Sequence, residues 1–170
     1  MNHEYEREPN LESPESAYER YAKRLGLDEK DLAGKKILDV GSNENQFEQY
    51  LEEKYPGTEV VSLDAHFSPK ISVQADGRDI PFKDGSFDVI VCHASLISEE
   101  LMEAMDGLVA ALKPGGEIRF GPIMEGPVYD DMQKFINNLP KEVSAELVPA
   151  GVFEMSQEKE KRFYMRVKKL

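Results

Sequence analysis

Lys35 to Phe47 reads KKILDVGSNENQF, and the interpretation of this stretch decides the fold. Ile37, Leu38 and Val40 form the short apolar run of a strand covered on both faces. Gly41 stops the run, Ser42 to Asn45 are turn formers, and Phe47, Tyr50 and Leu51 then recur at helical spacing. A strand that feeds a helix through a tight turn leaves backbone N–H groups facing a crevice, a ready place for a nucleotide-like ligand.

Downstream, the helix is expected to run to about Lys54, and Pro56-Gly57 is a turn. Glu59 to Leu63 reads as a second strand ending at Asp64. An acidic residue there is placed to accept hydrogen bonds from ribose hydroxyls, or else it caps the strand end. Only Ala65 to Lys70 separate Asp64 from the next apolar stretch, Ile71 to Ala75. A parallel crossover usually takes about a dozen residues or more. The third strand therefore joins through a bare loop, or is short and irregular. Arg78 to Gly85 is a loop, and Ser86 to Cys92 (SFDVIVC) is a fully buried strand. Ser98 is expected to cap a helix that carries Leu101, Met105, Leu108, Val109 and Leu112 on one face. Lys113-Pro114-Gly115-Gly116 forces it to stop.

Glu117 to Phe120 reads as a strand, Gly121 to Pro127 as a loop, and Tyr129 to Leu139 as a helix. Ser144 to Val148 and Arg162 to Lys168 are the last strands, with Ser156 to Lys161 as their turn. In the final strand Phe163, Met165 and Val167 alternate with Tyr164, Arg166 and Lys168, the pattern of a half-exposed antiparallel strand. Upstream, residues 1–12 are acidic and expected to fray. Ser13-Pro14 opens a helix with Tyr18, Tyr21, Ala22 and Leu25 on one face, closed by Gly26. This helix either packs on a sheet edge or acts as a lid, with Tyr18 or Tyr21 touching a ligand. Asp28 to Leu32 adds a further turn. Strand and helix alternate through the middle, which defines an α/β layered fold in a single domain: a helical cover over 13–33 and a core over 35–170.

The 170 residues suit one core. A formal net charge of −12 disfavours a polyanionic partner, so no nucleic acid is expected. The lone cysteine, Cys92, excludes an internal disulfide, and the three histidines make no metal-ligand spacing with it. No apolar run approaches the roughly 20 residues that span a bilayer. The polar start MNHEYEREPN is not a secretory leader, so a cytoplasmic location is expected.

Four blocks taken together resemble the class I S-adenosylmethionine-dependent methyltransferases. They are KKILDVGSNENQF, EVVSLDA, VQADGRDIPFKDGSFDVIVCHASL and ALKPGGEIRFGPI, in the family's order over about residues 35–123. The resemblance implies a Rossmann-like, mostly parallel seven-stranded sheet with a closing antiparallel strand and helices on both faces. It implies S-adenosyl-L-methionine as cofactor. The short path after Asp64 looks like the compact branch that lacks one crossover helix. One departure stands out. Where the family repeats glycine, this chain keeps Gly41 but has Asn43 and Asn45. Asparagine tolerates left-handed backbone, so the turn can survive. Its side chains then either hydrogen-bond the ligand or block it.

Carried over by position, the resemblance has Gly41, Ser42 and Asn43 pass the backbone close to the cofactor. Asp39 orients its ammonium, and Asp64 takes the ribose hydroxyls. Asp76 and the Gly77 N–H meet adenine, with Ala65 and Ile80 as apolar contacts. Cys92 and His93 stand beside the methyl-transfer site, where His93 is either a general base or a strand-end structural residue. Cys92 is alternatively a small buried core residue. The implied acceptor is a small molecule, lipid or glycan, with a homo-oligomer or protein partner open as a source of further site walls. Two competing readings remain: a non-catalytic methyltransferase-like module with a degenerate pocket, and a nicotinamide-dependent oxidoreductase. The closing hairpin and LKPGG speak against the second.

Overall fold

A computed structural model describes residues 12–66, 68–155 and 158–170. Residues 1–11 of the segment 1–12 expected to fray, and Phe67, lie outside them. In chain order the elements are α1 (Pro14–Leu25), α2 (Glu29–Leu32), β1 (Lys36–Val40), α3 (Gln46–Lys54), β2 (Glu59–Asp64), β3 (Val73–Gln74) and β4 (Phe87–His93). They continue with α4 (Ser98–Ala111), β5 (Leu112–Met124), α5 (Pro127–Ile136), β6 (Val143–Met155) and β7 (Glu158–Lys169). The strands form one sheet in the order β3-β2-β1-β4-β5-β7-β6. Pairing is parallel from β3 to β5, and β7 runs antiparallel to both its neighbours. This is the Rossmann-like, mostly parallel seven-stranded sheet expected from the sequence. Strand order reverses between β1 and β4, so the crevice falls at their carboxyl ends.

Side-chain alternation along the central strands builds two cores. Leu38, Val40, Ile90 and Cys92 face α4 and join Leu101, Leu108, Ile118 and Met165. Ile37, Val89 and Val91 face the other way and meet Phe47 and Leu51 of α3 and Tyr21 and Leu25 of α1. The same alternation puts Asp39 and His93 on the face of the sheet that α1 covers.

α1 begins where the sequence places it. Ser13 Oγ accepts from the Ser16 N–H at 3.2 Å, and Gly26 closes the helix in the left-handed region at φ 60°. The buried Arg119 of β5 donates to the Leu25 and Gly26 carbonyls at 3.1 and 2.9 Å. A cation is thereby held at the negative end of the helix.

Several expectations change at element ends. Ile97, rather than Ser98, occupies the N-cap of α4, and its N–H donates to Glu100 Oε2 at 3.0 Å. β5 starts at Leu112, before the Lys113–Gly116 turn, which becomes an excursion between the pairs Phe87–Leu112 and Val89–Glu117. β5 also runs on to Met124 through the expected loop. A register shift between Phe120 and Ile123 accommodates Pro122, which has no N–H to give the ladder. α5 starts two residues early because Pro127 suits the first helical position, and it ends at Ile136. β6 and β7 extend over Val143–Met155 and Glu158–Lys169, so most of the expected turn is paired strand and residues 156–157 lie outside the described structure. A polar sequence does not stop such a strand, since the ladder is made by the backbone. Tyr164, expected on the exposed face, is buried beneath Gly26, with the Arg119 guanidinium 5.2 Å from its ring centre. The cover provided by α1 is what the alternation pattern could not reveal.

Leu25 is fully buried and pins α1 to the sheet. Leu25→Ala is expected to cost about 2–5 kcal/mol in urea unfolding. A loss below about 1 kcal/mol would show that α1 is not an integral cover.

Candidate active site

The turn after β1 is built in the left-handed region three times over. Gly41, Asn43 and Asn45 have φ of 77°, 55° and 56°. Asparagine thus adopts the backbone that glycine would otherwise supply. The Gly41 and Ser42 N–H groups donate to the Leu63 carbonyl at 2.7 and 3.1 Å, and the Asn43 N–H donates to Asp64 Oδ2 at 3.0 Å. The turn is therefore laced to the end of β2. The Asn45 amide donates to the Lys70 carbonyl at 2.6 Å and accepts from Gln49 at 2.7 Å. It closes the short β2–β3 link. Asn43 faces a cavity instead.

Two cavities meet at this turn. One, of about 330 Å³, is walled by Val40, Gly41, Leu63, Asp64, Ala65, Asp76, Gly77 and Leu96, among others. The other, of about 430 Å³, lies under α1 and is walled by Arg20, Tyr21, Arg24, Gly41, Ser42, Asn43, Phe47 and His93, among others. Gly41 and Ala94 belong to both. A Cβ added at Gly41 would stand 2.0 Å from Ser95 Cβ, so only glycine permits this approach. The β4–α4 loop there rests on the turn and separates the cavities. The Ser42 and Ser95 hydroxyls flank the contact, buried and without a hydrogen-bond partner among the described residues. Buried hydroxyls of this kind normally find a partner.

The structure gathers Gly41, Ser42, Asn43, Asp64, Ala65, Asp76, Gly77 and His93 around these cavities and leaves three candidates outside their walls. Cys92 points into the α4 core, where burial pushes its thiol well above the usual range. Ile80 packs against the same core. Asp39 lies fully buried beneath Tyr21, whose hydroxyl is 3.3 Å from both carboxylate oxygens. Alternation explains Cys92 and Asp39: neither points along the strand end toward the crevice. Asp64 also accepts the His66 N–H at 2.9 Å, and so is held rigidly at the cavity rim. Asp76 is exposed and paired with Arg78, which draws its carboxyl down to about 2.

His93 is the most constrained of the group. Its ring stacks on Tyr21 at 4.5 Å, and Tyr21 stacks in turn on Phe47 at 4.3 Å. Nδ1 lies 3.0 Å from the Arg20 guanidinium and Nε2 lies 3.3 Å from that of Arg24. Burial first, then the Arg20 and Arg24 charges, lower its pKa to about 3. An imidazole held so far below neutrality has an available lone pair but little driving force to take a proton. Arg20 is also paired with Glu12, at 2.5 Å. Sequence reading missed the arginines Arg20, Arg24 and Arg78, together with Glu12. The signal was the four-residue spacing of Arg20 and Arg24 next to Tyr21, which puts all three on one side of α1.

Among the described residues, no group of three histidine, cysteine or carboxylate side chains could hold a metal ion, and no helix is long and apolar enough to cross a membrane.

The sheet order and the crevice define a methyltransferase-type nucleotide-binding fold. Residues 38–120 match the family described as "Methyltransferase domain". That match, over just under half of the chain, and the sheet order together support a class I S-adenosylmethionine-dependent methyltransferase family. It is 26% identical, over 147 residues, to the Mycobacterium ulcerans (strain Agy99) protein named "Probable phthiotriol/phenolphthiotriol dimycocerosates methyltransferase 2". That match covers 72% of this chain and 55% of the relative, so the chain spans about half the relative's length. Similar solved structures include a candidate sarcosine dimethylglycine methyltransferase from Galdieria sulphuraria (TM-score 0.61, 14% identity, covering 89% of this chain and 84% of that one). Another is an S-adenosylmethionine-dependent methyltransferase from Methanosarcina mazei (TM-score 0.52, 15% identity, 80% and 92% coverage). At these identities the structures speak to the fold.

Two titrations check the geometry. The His93 imidazole is expected to stay neutral from pH 8 down to about 4 by NMR; a midpoint near 6.5 would contradict the arginine-flanked burial. Burial raises the Asp39 carboxyl to about 8, against roughly 4 in the unfolded chain. The folded state then binds the extra proton between these values, so stability falls as pH rises from about 4 to 8. Asp39→Asn should remove that slope. Parallel pH–stability curves for the two proteins would mean that Asp39 is not buried in this way.

Proposed function

We infer that this chain is an S-adenosylmethionine-dependent methyltransferase whose acceptor is a small molecule or lipid rather than nucleic acid. The observation that carries the reading is the pair of cavities meeting at Gly41, flanked by two unpartnered buried hydroxyls. A cofactor with a nucleoside end and an amino-acid end fits such a divided crevice. Asp64, Ala65, Asp76 and Gly77 would hold the nucleoside. Ser42, Asn43 and the Ser95 hydroxyl would meet the amino-acid part. The cofactor supplies an activated methyl group. The chain's own part is to bind, align and exclude water, and alignment alone is worth several kcal/mol. With His93 held neutral and weakly basic, positioning outweighs general-base catalysis in this site.

Three observations bear on the acceptor. The net charge of −12 opposes a polyanion. The Mycobacterium relative's name refers to a lipid-type substrate. A groove of about 610 Å³ between α4 and α5, with exposed Ile97, Met102 and Val128, starts beside the Leu96–Glu100 wall of the smaller cavity and offers room for an apolar acceptor. Against the non-catalytic reading stand Asn45, which turns away from the cavities, and the left-handed path that the turn keeps, while Asn43 still faces the larger cavity.

Asp64→Asn keeps the shape of the carboxylate and removes its charge. Saturating S-adenosylhomocysteine should raise the melting temperature of the wild type by several degrees and that of the variant by much less. An equal rise in both proteins would show that Asp64 does not hold the ribose.

A further inference from the structure

The groove between α4 and α5 has room for an apolar chain, but room alone does not select an occupant; the side chains around it do. Among the described residues the large apolar side chains that stand exposed are Ile97, Met102, Val128 and Leu170. The first three line this one groove of about 610 Å³, with Phe135 beside them. Ile97 is 64% exposed at the N-cap of α4, where an apolar residue does little for the helix. Scattered exposed apolar residues are ordinary, whereas a contiguous group rimmed by polar ones marks an interaction site.

The rim is dominated by one sign of charge. Glu99 and Met102 share a stripe of α4 that Asp106 continues four residues on. Asp131 falls between Val128 and Phe135 on the facing stripe of α5. α4 carries Glu99, Glu100, Glu103 and Asp106 and no basic residue. α5 carries Asp130 and Asp131 against Lys134, whose ammonium is bound to Asp131 at 3.1 Å. Arg78 comes within 3.8 Å of Glu103, but its side chain is held on Asp76 by two hydrogen bonds. An apolar floor under an acidic rim fits a partner with the opposite pattern, apolar side chains along one stripe flanked by Lys or Arg. A second copy of this chain would set acid against acid, and an anionic lipid surface would be repelled. A neutral alkyl chain would use the floor and leave the rim without a counterpart. A trench between two helices is a seat for a third, and the 14 residues of α4 run alongside it for about four turns.

We propose that the α4–α5 groove docks a basic amphipathic helix of a partner protein, with its apolar anchors on Ile97, Met102 and Val128 and its cations over Glu99, Glu103 and Asp106. The proposal goes beyond the methyltransferase reading and does not depend on it, since none of these six residues walls either cavity of the crevice.

The test titrates three capped model peptides into the protein at physiological salt. The first is a helix of Leu and Lys with the leucines on one stripe. The second has the same residues reordered so that the leucines are spread around the helix, and the third has Glu in place of Lys. The expected result is that the first binds wild type at least tenfold more tightly than the other two. Met102→Gln combined with Val128→Gln, at exposed positions that leave the melting temperature nearly unchanged, weakens it tenfold or more. Glu99→Gln combined with Glu103→Gln weakens it and flattens its dependence on salt. Equal binding of the ordered and reordered peptides, or unchanged binding by the Met102 and Val128 variant, would reflect only general attraction to a chain of net charge −12 and overturns the proposal. No binding of the first peptide overturns it as well. Decyl maltoside binding that depends on Met102 and Val128, without any preference among the peptides, gives the groove to an apolar acceptor instead. Self-association in sedimentation that these two substitutions abolish gives it to a second copy, and either result overturns the proposal. S-adenosylhomocysteine is expected to bind both variants as it binds wild type; its failure to bind wild type counts against the methyltransferase reading and leaves the peptide result standing.

Discussion

The Tyr21 hydroxyl lies over the buried carboxyl group of Asp39, 3.3 Å from both of its oxygens. Asp39 sits mid-sheet, fully buried, and an ionised carboxylate there would be costly without its phenol partner. The ring that carries this hydroxyl is stacked between Phe47 and His93. One side chain thus joins α1, β1, α3 and β4. The larger cavity exists because α1 is held at that height above the strand ends. Its depth, its two arginines and the neutrality of His93 all follow from the placement of a single helix.

The second constraint is the turn at Gly41. Left-handed backbone at Gly41, Asn43 and Asn45 brings three N–H groups back onto Leu63 and Asp64, so the end of β1 and the end of β2 become one rigid rim. Asparagine keeps the path at the price of side-chain bulk. At Asn45 that bulk is used structurally, tying down a β2–β3 link too short for a helix. Ser95 then closes on Gly41 and splits the crevice. A ligand spanning both halves gains the two orphaned hydroxyls as partners, which offsets part of the cost of moving that loop.

The sheet was legible in the sequence because its signals are local. Apolar residues at Ile37, Leu38 and Val40 and along Val89–Cys92, a cap at Ser13 and an αL closure at Gly26 each specify their own neighbourhood. The order of four blocks supplied the topology. Element ends were less legible, since a ladder continues wherever a partner backbone is available, as at Gly121–Met124 and Glu158–Lys161. The site was only partly legible. Asp64, Asp76 and Gly77 are positioned by strand ends, which the sequence locates. Cys92 and Asp39 required the face of each strand to be known. Arg20, Arg24 and the burial of Tyr164 depend on where α1 docks, a tertiary fact with no local signature.

The central claim is that the divided crevice binds one cofactor across both halves. Calorimetric titration of the wild-type protein with S-adenosylhomocysteine tests it directly. One-to-one binding in the micromolar range, about −8 kcal/mol, is the predicted result. Absence of heat together with an unchanged melting temperature would contradict it, and would mean that Ser95 and Asn43 have closed the pocket.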